Sequence, residues 1–87
     1  MDITNINDVK GLKQNFSAVF DTPQGLEVMD FLEKSCGWYD SVFDPNNADR
    51  TLINAGRREV LATIKTFLKH PPEHIVALAQ QKENYDA

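Results

Sequence analysis

From Pro45 to His70 the chain reads as one long amphipathic helix, and every other segment has to pack around it. At about 100° of turn per residue, Ile53, Val60, Ile64, Phe67 and Leu68 fall within an arc of roughly 100°, with Leu61 at its edge. Arg50, Arg58, Lys65 and Lys69 form an adjoining basic shoulder, while Glu59, Thr63 and Thr66 face away from both. Gly56 lies on the apolar side. A glycine there costs roughly 1 kcal/mol relative to alanine, and the expected compensation is the close approach of another helix. Arg57 projects between Ile64 and Leu68, into the core-facing arc, so its charge has to be paired or led out along its stem. Glu33 is the first-choice partner, followed by Asp40 and Asp44.

The flanking segments are helical too. Asn7 or Asp8 suits the cap of a first helix over about residues 8–20, with Val9, Leu12, Phe16, Val19 and Phe20 as its stripe. Thr22-Pro23 is a cap followed by a proline at the first helical position, predicting a second helix over 23–36 that stops at Gly37. Its apolar residues, Leu26, Val28, Met29, Phe31, Leu32 and Cys36, cover more than half the wheel, which predicts the inner element of a three-helix packing. Trp38, Tyr39, Val42 and Phe43 crowd the next loop. They are expected either to fold under as a lid, with Trp38 buried and Phe43 beside the long helix, or to stand out as an aromatic patch for a partner. Asp44-Pro45 repeats the cap-and-proline device, His70-Pro71-Pro72 ends the long helix, and a short helix over about 72–81 carries Ile75, Leu78 and Ala79. The termini, including the tail from Lys82, are expected to be disordered. The predicted fold is therefore all-α: one domain of three main helices plus a short C-terminal one, ordered over about 8–81.

Composition excludes more than it identifies. Hydrophobic content of 41% is enough for a core. A formal charge of −4 argues against nonspecific nucleic-acid binding as the main task, yet leaves room for a local basic stripe. A single cysteine, Cys36, permits no internal disulfide, and it falls on the apolar arc of the second helix, where a thiol acts as a small hydrophobe. Met1-Asp2-Ile3-Thr4 has neither a basic nor an apolar signal region, and no apolar run approaches the ~20 residues of a membrane span. Asp40, Asp44, Asn46, Asn47 and Asp49 look calcium-like, but counting from Asp44 puts Ala48 where an oxygen ligand is needed. His70 and His74 are four apart, yet Pro71 and Pro72 prevent one regular helical face and no third ligand is near in sequence. No metal, no cofactor and no enzymatic activity are expected. A DNA-reading helix-turn-helix is disfavoured by the long aromatic loop and the mid-helix position of the charges.

Several blocks together carry a resemblance: Phe20-Asp21-Thr22-Pro23 with Gly25, Val28-Met29 and Leu32; Cys36-Gly37; Ser41-Val42-Phe43-Asp44-Pro45; and Gly56-Arg57-Arg58-Glu59-Val60. Over roughly residues 15–70 the chain resembles small tailed-bacteriophage proteins grouped around a Bordetella phage representative. The resemblance implies a structural or assembly accessory that docks on head, portal or tail proteins, in the host cytoplasm during assembly or in the virion, and in several copies, with a homo-oligomer among the expected partners. It supplies no catalytic residues. The partner-binding residues expected on the surface are Arg50, Arg58, Lys65, Lys69, Trp38 and Tyr39. Structural roles are expected for Arg57, Glu33, Gly56, Thr22, Pro23 and Asp44. The alternative reading is a small phage regulator that binds nucleic acid or a host protein through the basic face.

Overall fold

The computed structural model describes the backbone of residues 1–86 and the side chains through residue 82. It has four helices, α1 (Ile6–Phe20), α2 (Pro23–Ser35), α3 (Ala48–Lys69) and α4 (Pro72–Asp86), and no strand among the described residues. None of the helices is long and apolar enough to cross a membrane. The all-α expectation holds.

Local chemistry explains most of the boundaries. Asn5 caps α1, its side-chain oxygen accepting from the amides of Asn7 at 3.0 Å and Asp8 at 3.1 Å. The helix therefore starts earlier than expected from Asn7 or Asp8, and Asp8 instead accepts from the Asp2 amide at 2.9 Å. Thr22 caps α2, accepting from the Gly25 amide at 2.9 Å, with Pro23 at the first helical position. That helix closes as expected on Gly37, which takes φ 64°. The Trp38 amide donates to the Glu33 carbonyl at 2.8 Å and the Gly37 amide to Lys34 at 3.3 Å, the paired bonds of a Schellman closure.

The start of α3 corrects the sequence reading. Asp44 is not its cap, and Pro45 is not its first residue. Asn47 caps it, accepting from the Arg50 amide at 3.0 Å. The Asp44 carboxylate turns back to the Asn46 amide at 2.9 Å, and its own amide donates to the Thr51 hydroxyl at 2.8 Å. Asx chemistry thus folds residues 44–47 into a turn laid against the first turn of α3. At the other end α4 continues past the expected residue 81 to Asp86, so the segment expected as a disordered tail is largely helical backbone, and only Ala87 lies outside the described residues.

Packing corrects a second expectation. The inner element is α1, which packs against each of the other three helices, whereas α2 lies chiefly on α1. The core joins Val9, Phe67 and Ile75, with Leu12, Phe16 and Val76 against it, and the Phe16 and Phe67 rings 4.8 Å apart. Burial of such side chains contributes about 1.5–3 kcal/mol each. The Lys13 ammonium donates to the Phe67 carbonyl at 2.8 Å and to that of Leu68 at 3.4 Å. It thereby satisfies carbonyls left over at the C-terminal end of α3, where a cation is favoured.

Only the C-terminal half of the α3 stripe is used. Leu61 is 1% exposed and Phe67 is buried, but Val60 is 65% and Ile53 54% exposed. Gly56 is not a contact point: a Cβ there would meet nothing within 4 Å. The close approach occurs at Gly25 instead, where a Cβ would lie 2.5 Å from the Phe20 Cα and closer still to the Val19 carbonyl oxygen. The result is a thin slab, 44 × 41 × 17 Å, with a radius of gyration of 15.0 Å. A compact chain of this length would have about 12 Å.

Candidate functional site

The face on which α2 and α3 meet collects most of the residues singled out from sequence. The Schellman closure of α2 sends Trp38 back against α3. There the Lys65 ammonium stands 4.4 Å from the centroid of the Trp38 ring, and the Arg58 guanidinium carbon 5.1 Å. Arg58 and Lys65 are seven residues apart, two turns along one side of the helix, so one indole spans the interval between them. Trp38 is half-buried by this packing, while Phe43 is 70% exposed and does not pack as expected. Of the four large loop residues, Trp38 and Val42 are half-buried, while Tyr39 and Phe43 are exposed. Tyr39 points outward and donates its hydroxyl to the Glu33 carboxylate at 2.5 Å. That hydrogen bond, with the negative charge of Glu33, raises the tyrosine above its ordinary pKa.

Glu33 and Arg57 do not pair. Glu33 is half-buried and meets Lys65, with Oε2 3.5 Å from Nζ. Arg57 is exposed, and no ion pair to it occurs among the described residues. The two arginines have exchanged the parts that the helical wheel assigned: Arg58 packs on the protein, and Arg57 faces solvent. The cause is the phase of α3. Its loop-side contacts run along Thr51, Asn54, Arg58 and Lys65, and the Asn54 side-chain amide donates to the Val42 carbonyl at 3.2 Å. Asn54 was missed by sequence reading, although it lies on the same side of the wheel as Arg58.

Two clefts flank Trp38 along α3. The first, of about 670 Å³, is largely apolar, with Met29, Trp38, Ala62 and Leu68 as walls and Lys65, Lys69 and His70 at its edge. The second, of about 270 Å³, is polar and holds Arg50, Arg57 and Arg58 together with Lys34 and Asp40. Of the six expected partner-binding residues, Trp38, Arg58, Lys65 and Lys69 thus share one face, Arg50 lies farther along α3 in the second cleft, and Tyr39 stands at the edge.

Other candidates do not assemble into chemistry. The His70 and His74 rings come together, with centroids 4.5 Å apart, because the Pro71-Pro72 junction brings α4 back beside the end of α3. No group of three or more histidine, cysteine or acidic side chains able to hold a metal occurs among the described residues. Cys36 is a free thiol, half-buried at the wall of the second cleft.

A family model described as Bbp19-like phage protein matches residues 16–80. The match takes in α2, α3 and most of α4, and so extends past Pro71, where the blocks read from the sequence ended. No curated protein and no solved structure matches the chain.

Proposed function

This chain belongs to the Bbp19-like phage protein family, and on that premise we propose that it is a non-enzymatic assembly accessory that docks on larger structural proteins of the phage particle. The observation that carries this reading is the surface left uncovered. The chain exposes 6415 Å², whereas a compact monomer of its mass would expose about 5200 Å². The excess of roughly 1,200 Å² is larger than the about 800 Å² that one partner contributes to a standard-size interface. Among the described residues five hydrophobic ones are buried, against twelve large ones exposed, including Val28 and Phe31 on α2 and Ile53 and Val60 on α3. A chain with so thin a core gains stability from whatever covers these side chains. Trp38 and its two cations supply the kind of anchor that dominates interface energetics, an aromatic flanked by arginine.

Mass spectrometry of purified virions and proheads tests the reading. The chain is expected in one or both at several copies per particle, and absence from both would sink it. The alternative, a small regulator acting through nucleic acid, draws on the same local concentration of cations. It predicts DNA binding that weakens steeply with salt.

A further inference from the structure

We propose that the cleft between the C-terminal turn of α2 and the first turns of α3 is a carboxylate-binding site that seats an acidic, partly apolar segment of a protein partner, with Arg50 and Arg57 as its receiving groups. The inference rests on the docking reading and specifies the partner's chemistry at a second point of the same face.

Arg50 and Arg57 are two turns apart, roughly 10 Å along the axis of α3, and both line this cleft. Asn54 sits between them, its amide committed to the Val42 carbonyl, so the loop forms a fixed opposite wall. The chain has thirteen acidic residues and nine basic ones, yet no carboxylate pairs with either arginine among the described residues. Lys34, at the rim, is already held by Asp30 at 3.0 Å. Asp40 is the one acid in a lining that includes Lys34, Arg50, Arg57 and Arg58, a clear excess of positive charge. Guanidinium forks match carboxylates in a bidentate, planar manner that a solvated lysine does not offer.

Two observations favour an acidic protein segment over a phosphate backbone. First, Asp44, Asp49 and Glu59 lie close in sequence to Arg50, Arg57 and Arg58, in a chain of net charge −4. A nucleic-acid strand carries regularly spaced charges beyond any single cleft and would have to cross those acids. Second, Arg50, Asn54 and Arg57 form a ridge shared with a neighbouring cleft of about 360 Å³ that also contains Asn47, Asp49 and the exposed Ile53. A segment crossing the ridge meets positive charge on one side and an apolar side chain on the other. Alternating acidic and apolar residues satisfy both.

The full chain should bind a dye-labelled peptide of alternating glutamate and leucine at low salt, measured by fluorescence anisotropy. Binding is expected to be at least tenfold tighter than to the same peptide with glutamine in place of glutamate. It should fall at least tenfold in the double variant Arg50→Gln, Arg57→Gln, with helical circular dichroism retained, and stay unchanged in Lys10→Gln on α1. Equal binding of the glutamine peptide, equal binding by the double variant, or no binding at all would overturn the proposal. So would tighter binding of a single-stranded oligonucleotide of equal charge, which would assign the cleft to nucleic acid. If the peptide binds as expected while particles lack the protein, the cleft stands and the virion reading falls. The reverse result leaves docking intact and removes only the carboxylate site.

Discussion

The Lys65 ammonium stands over the ring of Trp38, 4.4 Å from its centroid, and reaches the Glu33 carboxylate at 3.5 Å. One side chain thus ties the end of α2, the aromatic loop and the middle of α3. A cation over a partly exposed indole contributes about 0.5–1 kcal/mol, and a partly exposed ion pair roughly 0–1 kcal/mol. Lys65→Ala should therefore cost about 1 kcal/mol, a drop of about 4–8 °C in Tm for a domain of this size. Trp38 emission should shift to the red and become more accessible to acrylamide. Unchanged melting and unchanged quenching would mean that the contact contributes nothing.

The arginine pair gives the sharpest comparison. Arg58→Ala removes a cation stacked on Trp38 and should lower stability by about 0.5–1 kcal/mol. Arg57→Ala removes an exposed charge with no ion-pair partner among the described residues and should change melting by a few tenths of a kcal/mol at most. Thermal melts of the two variants side by side decide the order. A larger loss in Arg57→Ala would restore the assignment made from the helical wheel.

The glycines of α2 and α3 should respond in opposite directions. Gly25→Ala drives a methyl group into the backbone at Val19 and Phe20, which cannot step aside without separating α1 from α2. Overpacking of this kind costs about 1–3 kcal/mol. Gly56→Ala adds a methyl group in open space and should stabilise the isolated chain by up to about 1 kcal/mol through helix propensity. Chemical denaturation of both variants, read by circular dichroism, should give shifts of opposite sign.

Tyr39 carries a pH signature. Its folded pKa is raised by the hydrogen bond to Glu33, so the protonated phenol is favoured in the native state. The stabilisation is fully present below the ordinary tyrosine pKa of about 10 and is lost as pH rises through the higher folded value. Absorbance titration of tyrosinate should show a late-titrating phenol in the native protein, and Glu33→Gln should move its midpoint down. A midpoint indifferent to that substitution would remove Glu33 as the cause.

What the chain determined by itself is what depends on near neighbours. Thr22-Pro23, Gly37 and the proline pair after His70 act over a few residues, so helix class and most boundaries could be read directly from them. Even local reading failed where two caps competed. Asp44 and Asn47 both suit the role, and the choice fell to Asn47 once Thr51 engaged the Asp44 amide. Tertiary structure decided the phase of each helix against its neighbours. A helical wheel assumes that a continuous apolar stripe is buried along its whole length. In α3 the core takes Leu61 and Phe67, while Ile53 and Val60, on the same stripe, stay in solvent because no helix of this chain lies over them. That rotation moved Arg58 onto Trp38, left Arg57 free for the cleft, and gave Glu33 to Lys65. Side-chain periodicity specifies which face is apolar. How much of that face is covered depends on the reach and number of the neighbouring helices, and three short ones cannot cover a helix of 22 residues.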